Sequence, residues 1–278
     1  MNKLYLSITV TTVILLSSCS TNNTIIKGGD YVSMQPDTQF HYKRTALEAK
    51  KSIFIDLDIE FCNKDQSKCR YYVTVKNDKN KVIEKFYETY KVNFFGDVFL
   101  TDSLYPSGTL LLPARMELGD EIQISNNDKF GPIQEKLLAY KIIPKIQINN
   151  NNYNNCVNIL FETITPTETL DLKLTTDEIT CKNIGTVRKE MKMSYKPKYA
   201  NTSTDEISNS VMKYASTQSI AKSMGPMSFY KPFITKKAKP DSQGYILIDT
   251  YLDILQSISH NPSANPSINN FAPEDKYN

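Results

Sequence analysis

From Gln39 to about Met193, apolar and polar residues alternate with a period of two, interrupted at short intervals by clusters of Asn, Asp, Gly and Ser. Residues two apart in an extended strand share a face, so the pattern predicts antiparallel strands with one buried side. It is clearest from Ser52 to Phe61, where Ile53, Ile55, Leu57, Ile59 and Phe61 oppose Phe54, Asp56, Asp58 and Glu60. The first set is a core face and the second a solvent face. Tyr71, Val73 and Val75 resume after the polar stretch 63–68, and Asn77-Asp78-Lys79-Asn80 is the next turn. Further strands are predicted at Val82 to Tyr90, Phe94 to Leu100, Thr109 to Leu112 and Glu121 to Ile124. Leu137 to Ile148, Cys156 to Thr163, Leu170 to Thr175 and Gly185 to Met193 complete the series. Strands in succession without intervening helices imply a mainly β fold, an antiparallel curved sheet or a partly open barrel or sandwich.

Beyond Lys198 the alternation stops. Residues 199–278 are rich in Ser, Thr, Asn, Pro and Lys, the composition of a mostly irregular, low-order extension. Two apolar islands interrupt it, so the extension is expected to carry one or two short helices. Thr204 is placed to cap a helix from Asp205 to about Ser223, with Ile207, Val211, Tyr214 and Ala215 on one face. Tyr245 to Ile258 offers Ile248, Tyr251, Leu252 and Leu255 at helical spacing, while Tyr245 to Ile248 would also serve as an edge strand. Residues 259–278 are expected to be disordered.

The opposite end has a different texture. Lys3 precedes an apolar stretch from Leu4 to Leu16, diluted by Ser7, Thr9, Thr11 and Thr12, and Ser17-Ser18-Cys19 leads into the polar tract Ser20-Thr21-Asn22-Asn23-Thr24. The run is too short for a bilayer-spanning helix and suits the apolar region of an export signal. Leu16-Ser17-Ser18-Cys19 resembles the lipobox of bacterial lipoproteins. That resemblance implies cleavage of residues 1–18, a diacylglyceryl group on the Cys19 thiol, and acylation of the new amino terminus, with palmitate among the usual chains. Several acyl chains anchor firmly where one binds marginally. The organisation expected is a leader over 1–18, a lipidated linker over 19–29, a β domain over 30–198 and the extension over 199–278. In the sorting rule of Gram-negative lipoproteins, a Ser in the place of Ser20 permits export to the outer membrane.

Composition narrows the partners. The chain has 278 residues and a net charge of +3, and removal of the leader with Lys3 leaves 260 residues and +2. So near a balance gives no general field for nucleic acid. Seventeen Tyr, twelve Phe and no Trp accompany the β-branched residues, which favours strands. Of the five cysteines, Cys19 goes to lipid and the other four allow three pairings. Cys62 and Cys69 flank a polar turn between strands, so hairpin closure brings them into disulfide range. Cys156 and Cys181 are then left to pair, a link worth about 3 kcal/mol in the loop-entropy model. Buried free thiols or a four-cysteine zinc site are the alternatives; the spacings are not of the CxxC type, and an oxidising compartment such as the periplasm favours disulfides.

No catalytic constellation is legible. His41 and His260 are the two histidines, one on an opening strand and one in the tail, so a metal site or triad would need ligands from afar. Asp56, Asp58 and Glu60 share a strand face that alternation already explains as solvated. No Gly-rich phosphate loop, serine elbow or HExxH motif occurs. Asn149 to Asn152 is a polar turn, and Lys231, Lys236, Lys237 and Lys239 form a solvated linker. The reading is of no enzyme, no cofactor, no metal and no catalytic residue.

Four segments taken in order carry a further likeness. Tyr31-Val32-Ser33-Met34 precedes Phe40-His41-Tyr42; Pro113-Ala114-Arg115-Met116-Glu117-Leu118-Gly119-Asp120 lies centrally; Ile148 through Cys156 forms a turn; and Asn183-Ile184-Gly185-Thr186-Val187-Arg188 follows. Together they resemble a loose group of bacterial exported lipoproteins built from a single β module. Four asparagines replace the group's Pro-Ala-Gly-Thr turn, a Phe stands in its Trp place, and Asn183 tolerates the left-handed backbone a Gly would supply. The resemblance implies an antiparallel β module of mostly unassigned function and transfers no site residue. The expected role is a lipid-anchored envelope module that binds or assembles with another envelope component. Carriage of an apolar ligand in a cavity lined by residues such as Phe54, Phe94 and Phe95, or surface display for host contact, are the alternatives.

Overall fold

The structure, a computed structural model, describes residues 24–215 and 239–260. The leader, Cys19, Lys231, Lys236, Lys237 and residues 261–278 lie outside the described residues.

After β1 (Ile25–Ile26) and a 3-10 turn at Gly28–Tyr31 come β2 (Thr38–Ala46), β3 (Lys51–Cys62), β4 (Lys68–Lys76), β5 (Val82–Val92), β6 (Val98–Thr101) and β7 (Thr109–Leu112). The short β8 (Met116–Glu117) pairs with β1. Then follow β9 (Glu121–Asp128), β10 (Gly131–Ile148), β11 (Asn151–Pro166), β12 (Leu170–Cys181), β13 (Gly185–Pro197), helix α1 (Thr204–Ala215) and β14 (Ile246–His260). Twelve strands form one antiparallel sheet in the order β7-β6-β5-β4-β3-β2-β14-β13-β12-β11-β10-β9. The end strands β7 and β9 come within 8 Å of each other, Cα to Cα, without joining their ladders. The fold is therefore mainly β, a large antiparallel sheet curled into a nearly closed barrel, as the alternation predicts.

The first strand of this sheet in chain order, β2, lies in its middle. The chain meanders outward from β2 to β7, crosses to β9 and meanders back inward to β13. The two meanders are joined by β14, which pairs with β13 on one side and β2 on the other. Residues 246–260 are thus a central strand and not part of a low-order extension. Two bulges hide this in the sequence: register shifts at Ile248 and at Gln256 change which parity faces inward. Ile248, Tyr251 and Leu255 are all buried, and their 3-4 spacing imitates a helix.

The inward face of β3 is as predicted through Ile59, but Phe61, past a bulge, is only half-buried. Helix α1 starts one residue beyond Ser203, which caps it in place of Thr204. The Ser203 amide donates to Glu206 Oε2 at 2.7 Å, and the Glu206 amide donates to Ser203 Oγ at 3.2 Å. This reciprocal arrangement is a capping box. Ile207, Val211 and Tyr214 pack inward as the helical face requires.

Inside the barrel, β14 contributes one half of a buried ion pair. Arg44 Nε donates to Asp253 Oδ1 at 2.7 Å and Arg44 Nη2 to Asp253 Oδ2 at 2.7 Å, with both residues under 5% exposed. The fork links the first long strand to the last described one. Removing one partner leaves a buried charge uncompensated, so Arg44→Ala is expected to cost about 3–5 kcal/mol of unfolding free energy in urea titration. Replacing both partners with apolar residues, Arg44→Met with Asp253→Leu, should recover most of that loss. Equal losses in the single and double variants would contradict this account.

Candidate functional site

One mouth of the barrel is filled by the amino-terminal segment. The Gly28 amide donates to Pro113 O at 3.2 Å and the Gly29 amide to Gly96 O at 3.0 Å. A Cβ on Gly28 would stand 2.3 Å from Pro113 O, so only glycine permits this approach. Farther along, the Asn183 amide donates to Asp30 O at 2.7 Å, Thr180 Oγ1 donates to Tyr31 O at 3.2 Å, and the Tyr71 hydroxyl donates to Ser33 O. Asn183 has φ 61°, the left-handed conformation anticipated for it. The β10–β11 tip, Asn149-Asn150 with φ 47° and 67°, has both residues left-handed, the geometry of the two-residue hairpin turn. Asn149 Nδ2 donates to Leu255 O at 3.1 Å. A void of about 70 Å³ remains under this plug, bordered by Tyr42, Tyr71, Tyr90, Glu178 and Lys189. It suits a few waters and not a lipid or drug-sized ligand.

The other mouth is closed by the loop from Asp102 to Tyr105 and by α1. The Tyr214 hydroxyl donates to Asp128 Oδ2 at 3.0 Å and lies 2.6 Å from Thr165 Oγ1, and the Tyr105 hydroxyl donates to Glu135 Oε1 at 3.4 Å. Tyr42, Tyr71, Tyr90, Tyr105 and Tyr214 all have hydroxyls pushed above the usual pKa of 10.0, first by desolvation and then by a nearby carboxylate. The carboxylate is Glu178 for Tyr42, Glu88 for Tyr71 and Tyr90, Glu135 for Tyr105 and Asp128 for Tyr214. The native state therefore keeps these hydroxyls protonated where the unfolded chain ionises them. Stability is complete below about pH 10 and falls above it by up to about 1.4 kcal/mol per pH unit for each tyrosine. Urea midpoints followed from about pH 8 to about pH 11 should hold and then drop steeply as tyrosinate absorbance appears. A flat midpoint across that range would contradict the assignment.

On the outer face, β14 sets Ser259 beside His41 of β2, and His41 beside Asp56 of β3. Ser259 Oγ lies 3.4 Å from His41 Nε2, and His41 Nδ1 lies 2.7 Å from Asp56 Oδ1. The order resembles a nucleophile, base and acid. It stands on the outer sheet face, however, and the void beneath the plug does not border it. Asp56 is also gripped by Lys76 Nζ at 2.6 Å, so its carboxylate serves cross-strand pairing. Asp56 is buried, where alternation predicted a solvated face, because His41 and Lys76 fold over it. Asp58 accepts from Gln39 Nε2, and partial burial pushes its carboxyl pKa up. The second histidine, expected far away in the tail, is brought to the same strand end, with His260 Nδ1 3.3 Å from Thr38 Oγ1. Among the described residues no three His, Cys, Asp or Glu side chains converge as a metal-ligand set.

Cysteines 62 and 69 are register partners joined by a disulfide across the β3–β4 hairpin, and cysteines 156 and 181 are joined likewise between β11 and β12. The two bonds span 7 and 25 residues of sequence. In the loop-entropy model their loss costs about 2 and about 3 kcal/mol respectively. Cys156→Ser with Cys181→Ser should therefore lower the urea midpoint more than Cys62→Ser with Cys69→Ser, with both differences vanishing in reductant.

The seam between β7 and β9 is the site that alternation did not reveal. A groove of about 790 Å³ runs along it, with Thr109 and Leu110 on one bank and Ile122 to Asn126 on the other. Phe99, Thr101 and Lys91 form part of its floor. Both banks are end strands whose outward backbone groups have no ladder partner among the described residues. Phe94 and Phe95, expected to lie in a strand lining a cavity, are instead exposed in a turn ahead of β6, and Phe54 lies half-buried on the outer sheet face. The turn residues Asn93, Gly96 and Asp97 around the two aromatics were the available signal.

No protein-family model matches the chain, and no curated protein matches it. Among solved structures it is similar to a candidate lipoprotein from Parabacteroides distasonis, at 12% identity and a TM-score of 0.43, with 82% of this chain and 98% of that one covered. It is also similar to a candidate exported protein with a YmcC-like fold from Bacteroides fragilis, at 11% identity and a TM-score of 0.43, with the same coverage.

Proposed function

We propose that this chain is a non-enzymatic lipoprotein of the bacterial cell envelope, held at a membrane through lipid on Cys19. Its β barrel acts as a rigid module that binds another envelope component. The observation that carries this reading is the filled interior: residues 28–33 pack into one mouth, Tyr105 and Tyr214 into the other, and the space of about 70 Å³ beneath residues 31–33 is too small for an apolar cargo, while the cavity of about 430 Å³ beside α1 opens to the outside. Work must then be done by the outside of the barrel. The seam is the favoured contact, since unpaired edges accept an extended segment of a partner by strand addition. Ser20 after the lipidated cysteine supports residence in the outer membrane of a Gram-negative cell, and two disulfides support an oxidising compartment.

Two measurements test this. Mass analysis of protein extracted from native membranes should find residues 1–18 absent and acyl chains on Cys19; an unmodified thiol or a retained leader would overturn the anchor. A photocrosslinker at Gln123, on the seam, should capture the same envelope protein in repeated native preparations, whereas one at Tyr199 should not. No reproducible adduct from Gln123 would overturn the seam as the contact.

A further inference from the structure

Phe94 and Phe95 stand side by side in the turn between β5 and β6, 98% and 79% exposed, with their rings edge-to-face at 5.6 Å. The turn is held firmly. Asn93 Oδ1 accepts the amides of Phe95, Gly96 and Asp97 at 3.0, 2.9 and 2.9 Å, and Asn93 Nδ2 donates to Asp97 Oδ2 at 2.8 Å. Asp97 Oδ1 in turn accepts the Ala114 amide at 2.6 Å. Two large apolar rings are therefore fixed in solvent by a pre-organised loop, which marks a surface built for a contact.

The contacts of this turn say what the rings face. Gly96 O accepts the amide of Gly29, so the turn is bonded to the segment that leads back to Cys19. Ile25 in β1 and Leu118, which follows β8 and whose amide donates to Thr24 O at 3.2 Å, are 45% and 38% exposed. The described chain starts at Thr24, five residues after Cys19. Fully extended, five residues reach about 18 Å, so a lipid on Cys19 draws this mouth of the barrel close to the bilayer surface. Tyr199, by contrast, follows β13 at the opposite mouth and is 63% exposed.

We propose that Phe94 and Phe95, supported by Ile25 and Leu118, form a membrane-docking tip that enters the headgroup–acyl boundary of the bilayer holding the Cys19 lipid. The inference rests on the lipid-anchored reading above and adds an orientation to it. Aromatic rings are suited to that boundary. A tether alone lets the barrel tumble; a second apolar contact fixes the plugged mouth against the membrane and turns α1 and Tyr199 away from it.

The chain contains no Trp, so a single Phe95→Trp substitution places a unique fluorophore in the tip. The native acylated protein carrying it is reconstituted through its own anchor into vesicles of phosphatidylethanolamine and phosphatidylglycerol, with or without bromine on the acyl chains. The expected result is blue-shifted emission, quenched about twofold or more by the brominated lipid, as for a ring roughly 5–10 Å into the boundary. Tyr199→Trp in the same vesicles should emit as in water and remain unquenched. Water-like, unquenched emission from Phe95→Trp on protein that floats with the vesicles and carries its acyl chains would overturn the docking tip alone. Protein with neither acyl chains nor flotation would overturn the anchor and the tip together.

Discussion

Two meanders wind around this barrel from opposite sides, and among the described residues β14 is the strand whose ladders join their inner edges. Without that strand, β2 and β13 would each present a bare edge, and Arg44 would be buried without its carboxylate. That pairing makes the twelve strands one sheet, which holds the buried tyrosines and offers the mouth into which residues 28–33 fit. Hydrogen-bond pairing on both flanks and a bidentate ion pair at its centre make β14 the keystone of the sheet.

Much of this architecture is legible from residue order because the signal is local. Alternation marks β3, β4, β5 and β13 plainly, since one face of each is buried and the other is not. The cysteine pairs follow from a hairpin and a remainder. What stays hidden is non-local. Bulges at Ile248 and Gln256 break the period of β14, so a strand reads as a helix. The burial of Asp56 depends on His41 and Lys76, which neighbouring strands supply. A seam exists only where two chain segments far apart in sequence come together, and no window of residues contains it.

The polar groups inside the barrel pair with one another and with the backbone. Glu178 and Lys189 are paired at 3.2 Å, and the buried tyrosines donate to backbone carbonyls or to carboxylates. Such networks specify one arrangement of the interior when every member is satisfied. The packed interior and the hydrogen-bonded turn at Phe94 and Phe95 give the exterior a defined shape, which the contact function proposed above requires more than it requires a pocket.

The late position of β14 also bears on the order of events in the cell. A chain still being synthesised has both meanders in hand but lacks the piece that seals them, so the barrel cannot close until nearly the whole polypeptide is available. In the export reading proposed above, where residues 1–18 lead the chain through a membrane as an unfolded thread, this delay is an asset. Placing the closing strand near the carboxyl end keeps the cargo loose on the near side of the membrane and lets it lock on the far side.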